Sequence, residues 1–164
     1  QGTLAIELLD QLPRLDVVYV SIGGGGLISG IGSVLKAFSP KTRVVGVSAK
    51  NSAELAASIR AGKMVKVDHH ETLADGCAGG VDSDTITLGL GSEVIDDLID
   101  CSEQQIKSGL QQIAWSEKML VEGSAGLAYA AWQEDAQKNK NKISAVVLCG
   151  ANFDKETLSP IVNS

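Results

Sequence analysis

The chain has 164 residues, 44% of them hydrophobic and 21% charged, and its formal net charge is −6. This length suits one domain that buries a core without disulfides or metals. The low proline content, three residues, argues against a long disordered segment. An acidic chain without a run of basic residues is poorly suited to binding nucleic acids. The sequence contains no run of 18 apolar residues, so no membrane-spanning helix is predicted.

The apolar pattern switches between the strand period and the helix period along the chain. Short β-branched or apolar runs predict strands over 16–22, 43–48 and 143–149, with a shorter strand over 98–101. Amphipathic or capped segments predict helices over 4–9, 27–38, 51–61, 102–118 and 124–138. Residues 62–90 form a long, glycine-rich and less regular stretch.

Cap residues mark several of the predicted helix ends. Thr3 is the predicted cap of the first helix, and Gly62 closes the third. Ser102 and Gln105 have the spacing of a capping box at the start of the fourth. The alternation of strands and helices predicts an α/β fold, with one domain over residues 1–164 and a parallel sheet flanked by helices on both faces.

Ligands of such sheets bind at the carboxyl ends of the strands, where residues 23–26, 48–54 and 149–152 are expected to lie. The first of these segments is a run of four glycines between a buried strand and a helix. Backbone N–H groups of such a loop, together with the free donors at the helix N-terminus, form a cup that suits a phosphate. A tight turn would need only one glycine, so the run of four favours phosphate binding over a simple turn. The loop is neither a dinucleotide-binding G-x-G-x-x-G motif nor a Walker loop, which would end in G-K-[ST].

Three further motifs follow the glycine run in a fixed order. They are Leu-Ala-Asp-Gly at 73–76, Val-Glu-Gly-Ser-Ala-Gly at 121–126 and Leu-Cys-Gly-Ala-Asn at 148–152. In order and spacing, the four motifs resemble fold-type-II pyridoxal-phosphate enzymes. From end to end, the chain is similar to the second half of the threonine/serine dehydratase and serine racemase group. The resemblance implies that the chain forms most of the large domain of such an enzyme.

The resemblance also implies pyridoxal 5′-phosphate as the cofactor, with Cys149 bonded to its pyridine nitrogen. Glu122 and the backbone at Gly76 are expected beside the ring, and Asn152 closes the C-G-x-N turn. Taken singly, Cys149 could be a small buried hydrophobe, and Glu122 a residue that caps or pairs at a helix start. Only the joint order of the motifs favours a site. The phosphate cup is assigned to Gly23, Gly24, Gly25, Gly26 and Leu27.

The chain departs from the family pattern where many members bind a divalent cation. Those members have a glutamate directly after the second strand and an acidic residue six positions later, where this chain has Ser48 and Glu54. One carboxylate is too few for a hard cation, so we expect no metal site and keep Glu54 only as a weak candidate. Because Glu54 lies three residues after Asn51, we expect it to form a capping box. The family's Glu-Pro-[Ser/Thr] is Glu-Gly-Ser at residues 122–124, where we expect the backbone to differ.

No catalytic residue is predicted within the chain. The family's Schiff-base lysine lies in an S-x-K-x-[RN] motif of the first half, which we expect to be a missing N-terminal segment or a companion chain. Lys50 fits the letters of that motif but follows the wrong strand. His69 and His70 are interpreted as part of an exposed polar loop, since no serine or carboxylate lies at a telling spacing.

The start of the chain and its cysteines give two further expectations. The chain opens at Gln1 without Met and enters a helical pattern at once, which favours a cut chain. Three cysteines, with no C-x-x-C pair, are typical of reduced thiols, so we expect a cytoplasmic location.

The resemblance implies that the parent protein is a threonine/serine ammonia-lyase, which removes water from a β-hydroxy amino acid to give a 2-oxo acid and ammonia. We expect this chain to be inactive by itself and to form a homo-oligomer. The alternatives are a fragment of a serine or other amino-acid racemase, or a non-catalytic phosphate- or cofactor-binding domain. A nucleotide-binding domain is disfavoured because the chain lacks the motifs of that class.

Overall fold

The computed structural model describes residues 1–163, which form an α/β fold. The four strands are β1 (Val17–Ser21), β2 (Arg43–Ala49), β3 (Asp97–Cys101) and β4 (Ser144–Val146). The seven helices of the described residues are α1 (Gly2–Gln11), α2 (Gly26–Phe38), α3 (Glu54–Ala61), α4 (Ile86–Val94), α5 (Glu103–Gln112), α6 (Gly123–Glu134) and α7 (Lys155–Val162). A 3-10 turn spans Asp75–Cys77, and a π-helical turn spans Ile113–Glu117.

The strands form one parallel sheet in the order β3-β2-β1-β4. Tyr19 at the centre of β1 is opposite Val45 in β2 and Val146 in β4, and Val47 is opposite Ile99 in β3. Because every strand runs in the same direction, all carboxyl ends meet at one edge of the sheet. The predicted parallel α/β fold is confirmed.

Helices cover both faces of the sheet, and each face has its own apolar core. One core joins alternate residues of β1 and β2 to α5, α6 and α7, and it includes Tyr19, Val45, Ile106, Leu110 and Leu127. The other joins the opposite residues of the same strands to α1, α2 and α3, and it includes Val18, Val20, Ile28, Ile31 and Leu55. Strands buried on both faces explain the continuous β-branched runs in the sequence. No helix among residues 1–163 is long and apolar enough to cross a membrane.

Of the helix caps predicted for α1, α3 and α5, Gly62 and the Ser102–Gln105 box are confirmed, and the cap at Thr3 is wrong. Gly62 ends α3 with φ 66°, a backbone conformation that favours glycine. Ser102 and Gln105 form both hydrogen bonds of the capping box that opens α5. Thr3 does not cap α1, because that helix already includes Gly2 and has no side-chain cap.

Several element boundaries differ from the sequence prediction. The predicted helix over 102–118 leaves α-helical geometry at Gln112, continues as the π-helical turn and ends at Lys118, whose φ is 59°. The stretch predicted as irregular contains α4, which Thr85 caps by accepting a hydrogen bond from the Thr87 N–H. Helix α7 was not predicted either, and it contains Pro160. The last strand is only three residues long, against seven predicted.

Candidate functional site

The glycine loop, residues 23–26, joins the carboxyl end of β1 to the start of α2. Gly25 has φ 83°, and its backbone turns the chain into the helix without a side-chain cap. The first N–H groups of α2 have no partners within the helix and carry its positive dipole end. A Cβ atom added at Gly24 or Gly26 would meet no heavy atom within 4 Å. The loop is therefore open above Gly24 and Gly26, beside the first N–H groups of α2.

Two neighbouring segments hold the glycine loop in place. A Cβ atom at Gly23 would lie 3.0 Å from the Cα atom of Cys77, in the 3-10 turn. Thr87 of α4 donates a hydrogen bond from Oγ1 to the Gly24 carbonyl oxygen over 2.7 Å. Leu55 of α3 packs beneath Gly25, where a Cβ atom would lie 2.4 Å from Leu55 Cδ2. Cys77 and Thr87 thus form walls on two sides of the loop, and Leu55 forms a floor that leaves no room for a side chain at Gly25.

Glu122, directly before α6, connects its own motif at 121–126 to the motifs at 73–76 and 148–152. Its N–H donates to the Gly150 carbonyl oxygen over 3.2 Å, and its Oε2 accepts a hydrogen bond from the Asn152 N–H over 2.8 Å. A Cβ atom at Gly150 would lie 2.6 Å from Glu122 Cδ, and one at Gly76 would lie 3.2 Å from Glu122 Oε1. The small residues at 76 and 150 therefore make room for this carboxylate.

Cys149 lies beyond β4, at the same edge of the sheet. The strand pairing continues past β4 as the Val147 N–H donates to the Tyr19 carbonyl oxygen over 3.0 Å. Although Cys149 is exposed, the surrounding protein raises the pKa of its thiol to about 11, mainly by desolvation and further through the nearby Cys77 thiol and Glu122 carboxylate. Hydrogen bonding to Ser21, at the end of β1, opposes this shift. The thiol therefore stays protonated at neutral pH and can act as a donor.

A cavity of about 490 Å³ opens beside Glu122 and Asn152. Most of its other lining residues come from the 70–78 segment and from α7 and the chain before it, including Glu71, Asp75, Phe153 and Leu158. Leu110 of α5 and Gly123 of α6 complete the lining. The glycine loop is not part of this lining. The loop and the cavity lie on either side of the 3-10 turn, since Cys77 faces Gly23 while Asp75 lines the cavity.

The predicted capping box at Asn51 and Glu54 is wrong. The Asn51 side chain instead donates to the Glu71 carbonyl oxygen over 2.6 Å, and the helix begins at Glu54 itself. The Glu54 carboxylate is buried and accepts hydrogen bonds from the Val81 N–H, Lys66 Nζ and His69 Nε2. These contacts, the Val81 N–H first among them, lower the pKa of Glu54 to about 2.

Glu54 is therefore already engaged by protein donors. No group of three His, Cys, Asp or Glu residues within 1–163 has the arrangement of a metal site.

His69 is exposed in the irregular loop, as predicted, but it has the serine and carboxylate neighbours that the sequence did not indicate. Its Nδ1 lies 2.8 Å from Ser52 Oγ, and its Nε2 lies 3.1 Å from Glu54 Oε2. Sequence reasoning missed this group because its members are 15 and 17 residues apart, across an irregular loop. His70 is exposed and lines the cavity, as part of the expected polar loop. Lys50 is exposed after β2, with its N–H bonded to the Cys101 carbonyl oxygen.

All predicted cofactor residues lie at the carboxyl edge of the sheet or in the turns that pack on it. Sequence reasoning missed Thr87 and Cys77 as neighbours of the glycine loop. The only signal for Cys77 was its place directly after Asp75-Gly76, and Thr87 gave no signal, because α4 was not predicted.

Comparisons with known proteins identify the family. Residues 1–150 match the family described as pyridoxal-phosphate dependent enzyme. The chain is 32% identical to L-threonine ammonia-lyase of Thermotoga maritima, covering 99% of this chain and 40% of that protein. It is 34% identical to the catabolic L-threonine dehydratase of Escherichia coli K12, covering 98% of this chain and 49% of that protein. The chain thus spans less than half the length of these relatives.

Solved structures agree with the sequence matches. Threonine deaminase isoform 2 of Solanum lycopersicum, in its processed form, superposes with a TM-score of 0.90 at 26% identity, over 99% of this chain and 48% of that one. Maize serine racemase gives a TM-score of 0.85 at 29% identity, over 97% of this chain and 50% of that one. With its family match, its relatives and its fold in agreement, the chain belongs to the pyridoxal-phosphate-dependent enzymes.

Proposed function

We propose that the chain is the cofactor-binding part of a threonine/serine ammonia-lyase, which removes water from a β-hydroxy amino acid to give a 2-oxo acid and ammonia. The observation that carries the proposal is the meeting of the glycine loop, Cys149 and Glu122 at one edge of the sheet. The substrate class rests on the relatives, two of which are named for threonine deamination or dehydration.

The glycine loop fits the phosphate of the cofactor. The open space above Gly24 and Gly26 is the room that a phosphate needs against a backbone. The N–H groups of Gly24 to Leu27 would donate to the phosphate, and the thirteen-residue helix behind them adds its dipole.

Cys149 fits the pyridine nitrogen. Its thiol has a pKa of about 11 and is neutral at neutral pH, so it can donate a weak hydrogen bond without transferring its proton. The chemistry that pyridoxal phosphate supplies when bound is the withdrawal of charge from the α-carbon of an amino acid. Glu122, fixed by Gly150 and Asn152, would position the turns beside the ring.

The lysine that carries the cofactor and moves the α-proton is proposed to come from a segment outside these 164 residues. The partners of this chain are then that segment or companion chain and a small β-hydroxy amino acid. We also propose a cytoplasmic location, on the basis of the three free thiols, and a homo-oligomeric state.

Serine racemase is the second candidate, because the maize structure resembles the chain at a TM-score of 0.85. Racemisation and elimination share the removal of the α-proton, and the residues of this chain suit both. The products differ: one reaction gives the opposite enantiomer and the other gives a 2-oxo acid.

Reductive trapping tests where the lysine lies. The purified chain is incubated with pyridoxal phosphate, reduced with borohydride and mapped by peptide mass. We expect saturable binding without one stoichiometric lysine adduct. A single adduct, at Lys50 above all, would contradict a lysine supplied from elsewhere.

A chimera tests the reaction itself. The chain replaces the matching part of the Escherichia coli dehydratase, and the chimera is assayed with serine and threonine for 2-oxo acids and for D-amino acids. We expect 2-oxo acids to dominate. A chimera that binds the cofactor but yields only D-amino acids would support the racemase, and one that yields neither product would support a non-catalytic domain.

A further inference from the structure

The Glu54 cluster, defined as Ser52, Glu54, Lys66 and His69, lies behind the glycine loop and outside the set of predicted cofactor residues. Only 1% of the Glu54 side chain is exposed, and an ionised carboxylate at such a site needs charged or hydrogen-bonding partners. Lys66 supplies a positive charge, with its Nζ 3.1 Å from Glu54 Oε1. His69 Nε2 lies 3.1 Å from the other carboxylate oxygen.

The cluster fixes the backbone of the chain that follows the 3-10 turn. The Val81 N–H donates to Glu54 Oε1 over 2.9 Å, and the Gly79 N–H donates to Ser52 Oγ over 3.0 Å. Lys66 Nζ also reaches the Val81 carbonyl oxygen at 3.5 Å. Gly79 has φ 115°, a conformation that other residues rarely adopt. Two residues of this segment, Gly79 and Val81, are therefore hydrogen-bonded to the first residue of α3 and to the turn before it.

The tied segment lies between the two residues that form the walls of the glycine loop. Cys77, two positions before Gly79, packs against Gly23. Thr87, six positions after Val81, donates to the Gly24 carbonyl oxygen. Leu55, which packs beneath Gly25, directly follows Glu54 in the chain. Each wall and the floor of the loop thus connect to the Glu54 cluster through a few residues of backbone.

We propose that Glu54 is a positioning residue for phosphate binding, and that Lys66 is the counter-ion that keeps its carboxylate in place. The Glu54 cluster would hold residues 77–87 so that the glycine loop keeps the shape of a phosphate cup. Neither residue would touch the ligand. This inference rests on the proposed function, because it assumes that the loop binds the cofactor's phosphate.

Lys66 gives the sharpest variants, since 76% of its side chain is exposed and its loss removes little apolar packing. Lys66→Met deletes the charge, whereas Lys66→Arg keeps a cation within reach of the carboxylate. Lys63→Met is the matched control, because Lys63 is exposed on the same loop and makes no ion pair among the described residues. Glu54→Gln removes the carboxylate charge while keeping an acceptor for the Val81 N–H.

The test measures the affinity of the 164-residue chain for pyridoxal phosphate, with inorganic phosphate as competitor and pyridoxal as the phosphate-free probe. We expect Lys66→Met to weaken pyridoxal phosphate binding about fivefold, because solvent screens the exposed ammonium of this ion pair. Glu54→Gln should weaken it about tenfold, because the buried carboxylate charge is lost. Lys66→Arg should restore the affinity to within about twofold, and Lys63→Met should leave it unchanged. Pyridoxal binding should change little in every variant.

Amide hydrogen exchange of the unliganded chain supplies a second readout. We expect faster exchange at Gly79, Val81 and Gly23 in Lys66→Met than in Lys63→Met, at a temperature where circular dichroism shows both to be folded. Unchanged affinity and exchange in Lys66→Met would overturn the positioning role. If the unsubstituted chain binds no pyridoxal phosphate, the proposed function fails, and the exchange rates alone then show whether the Glu54 cluster shapes the loop.

Discussion

Gly25→Ala provides a quantitative test of the glycine loop. Gly25 has φ 83°, and a left-handed conformation costs an L-residue about 1–2 kcal/mol. The added Cβ atom would also lie 2.4 Å from Leu55 Cδ2 and 3.0 Å from Thr87 Cβ, and overpacking of this kind costs about 1–3 kcal/mol. The expected loss in the free energy of unfolding is therefore about 2–5 kcal/mol, a large part of the stability of an ordinary domain.

Gly26→Ala is the matched control for this substitution. Gly26 is the first residue of α2, and its Cβ atom would meet no heavy atom within 4 Å. We expect the control to leave stability unchanged or to raise it by up to about 1 kcal/mol, since alanine favours a helix over glycine. Urea unfolding without cofactor, followed by far-UV circular dichroism, measures both variants. Equal stabilities for the two variants would refute the claim that only glycine fits at Gly25.

Three further predictions concern other parts of the site. Gly123→Ala should destabilise the chain more than Gly26→Ala in the same urea assay, because its Cβ atom would lie 1.7 Å from the Leu73 carbonyl oxygen, a backbone atom that cannot move alone. Because the folded-state pKa of Glu54 is about 2, below its ordinary 4.5, its stabilising effect is complete above pH 4.5 and is lost as the pH falls toward 2. Glu54→Gln should therefore flatten the acid limb of a stability–pH curve, and an unchanged limb would contradict the assignment. Cys149, with a pKa of about 11, should react slowly with iodoacetamide near neutral pH despite its exposure, and rapid alkylation would contradict a neutral thiol.

The sheet and the glycine loop were predictable from sequence because their signals are local. The β-branched runs of β1 and β2 indicate strands buried on both faces, and the structure shows helices on both. Ser102 with Gln105 and the terminal Gly62 determined helix ends through hydrogen bonds within one turn. The resemblance to the family could be inferred from the relative order of the motifs, although each motif alone had an ordinary structural interpretation.

The Glu54 cluster could not be predicted, because its contacts join residues that are far apart in sequence. Asn51 and Glu54 have the spacing of a capping box, but burial of the carboxylate beside Lys66 and Val81 overrides that local preference. His69 has no local pattern that indicates a partner, and its neighbours are brought together only when the loop packs on α3. Helix α4 has glycines among its residues and only a weak helical preference, so tertiary packing determines it.

The most direct test of the central claim is a nuclear magnetic resonance titration of the isotope-labelled chain, with amide shifts followed residue by residue. Pyridoxal phosphate and inorganic phosphate should both shift the amides of Gly24 to Leu27 in a saturable way. Pyridoxal should leave those amides unchanged, because it lacks the phosphate that the loop is proposed to bind. Amides that remain unshifted in the glycine loop, or saturable shifts confined to another part of the chain, would contradict the phosphate cup and the function proposed from it.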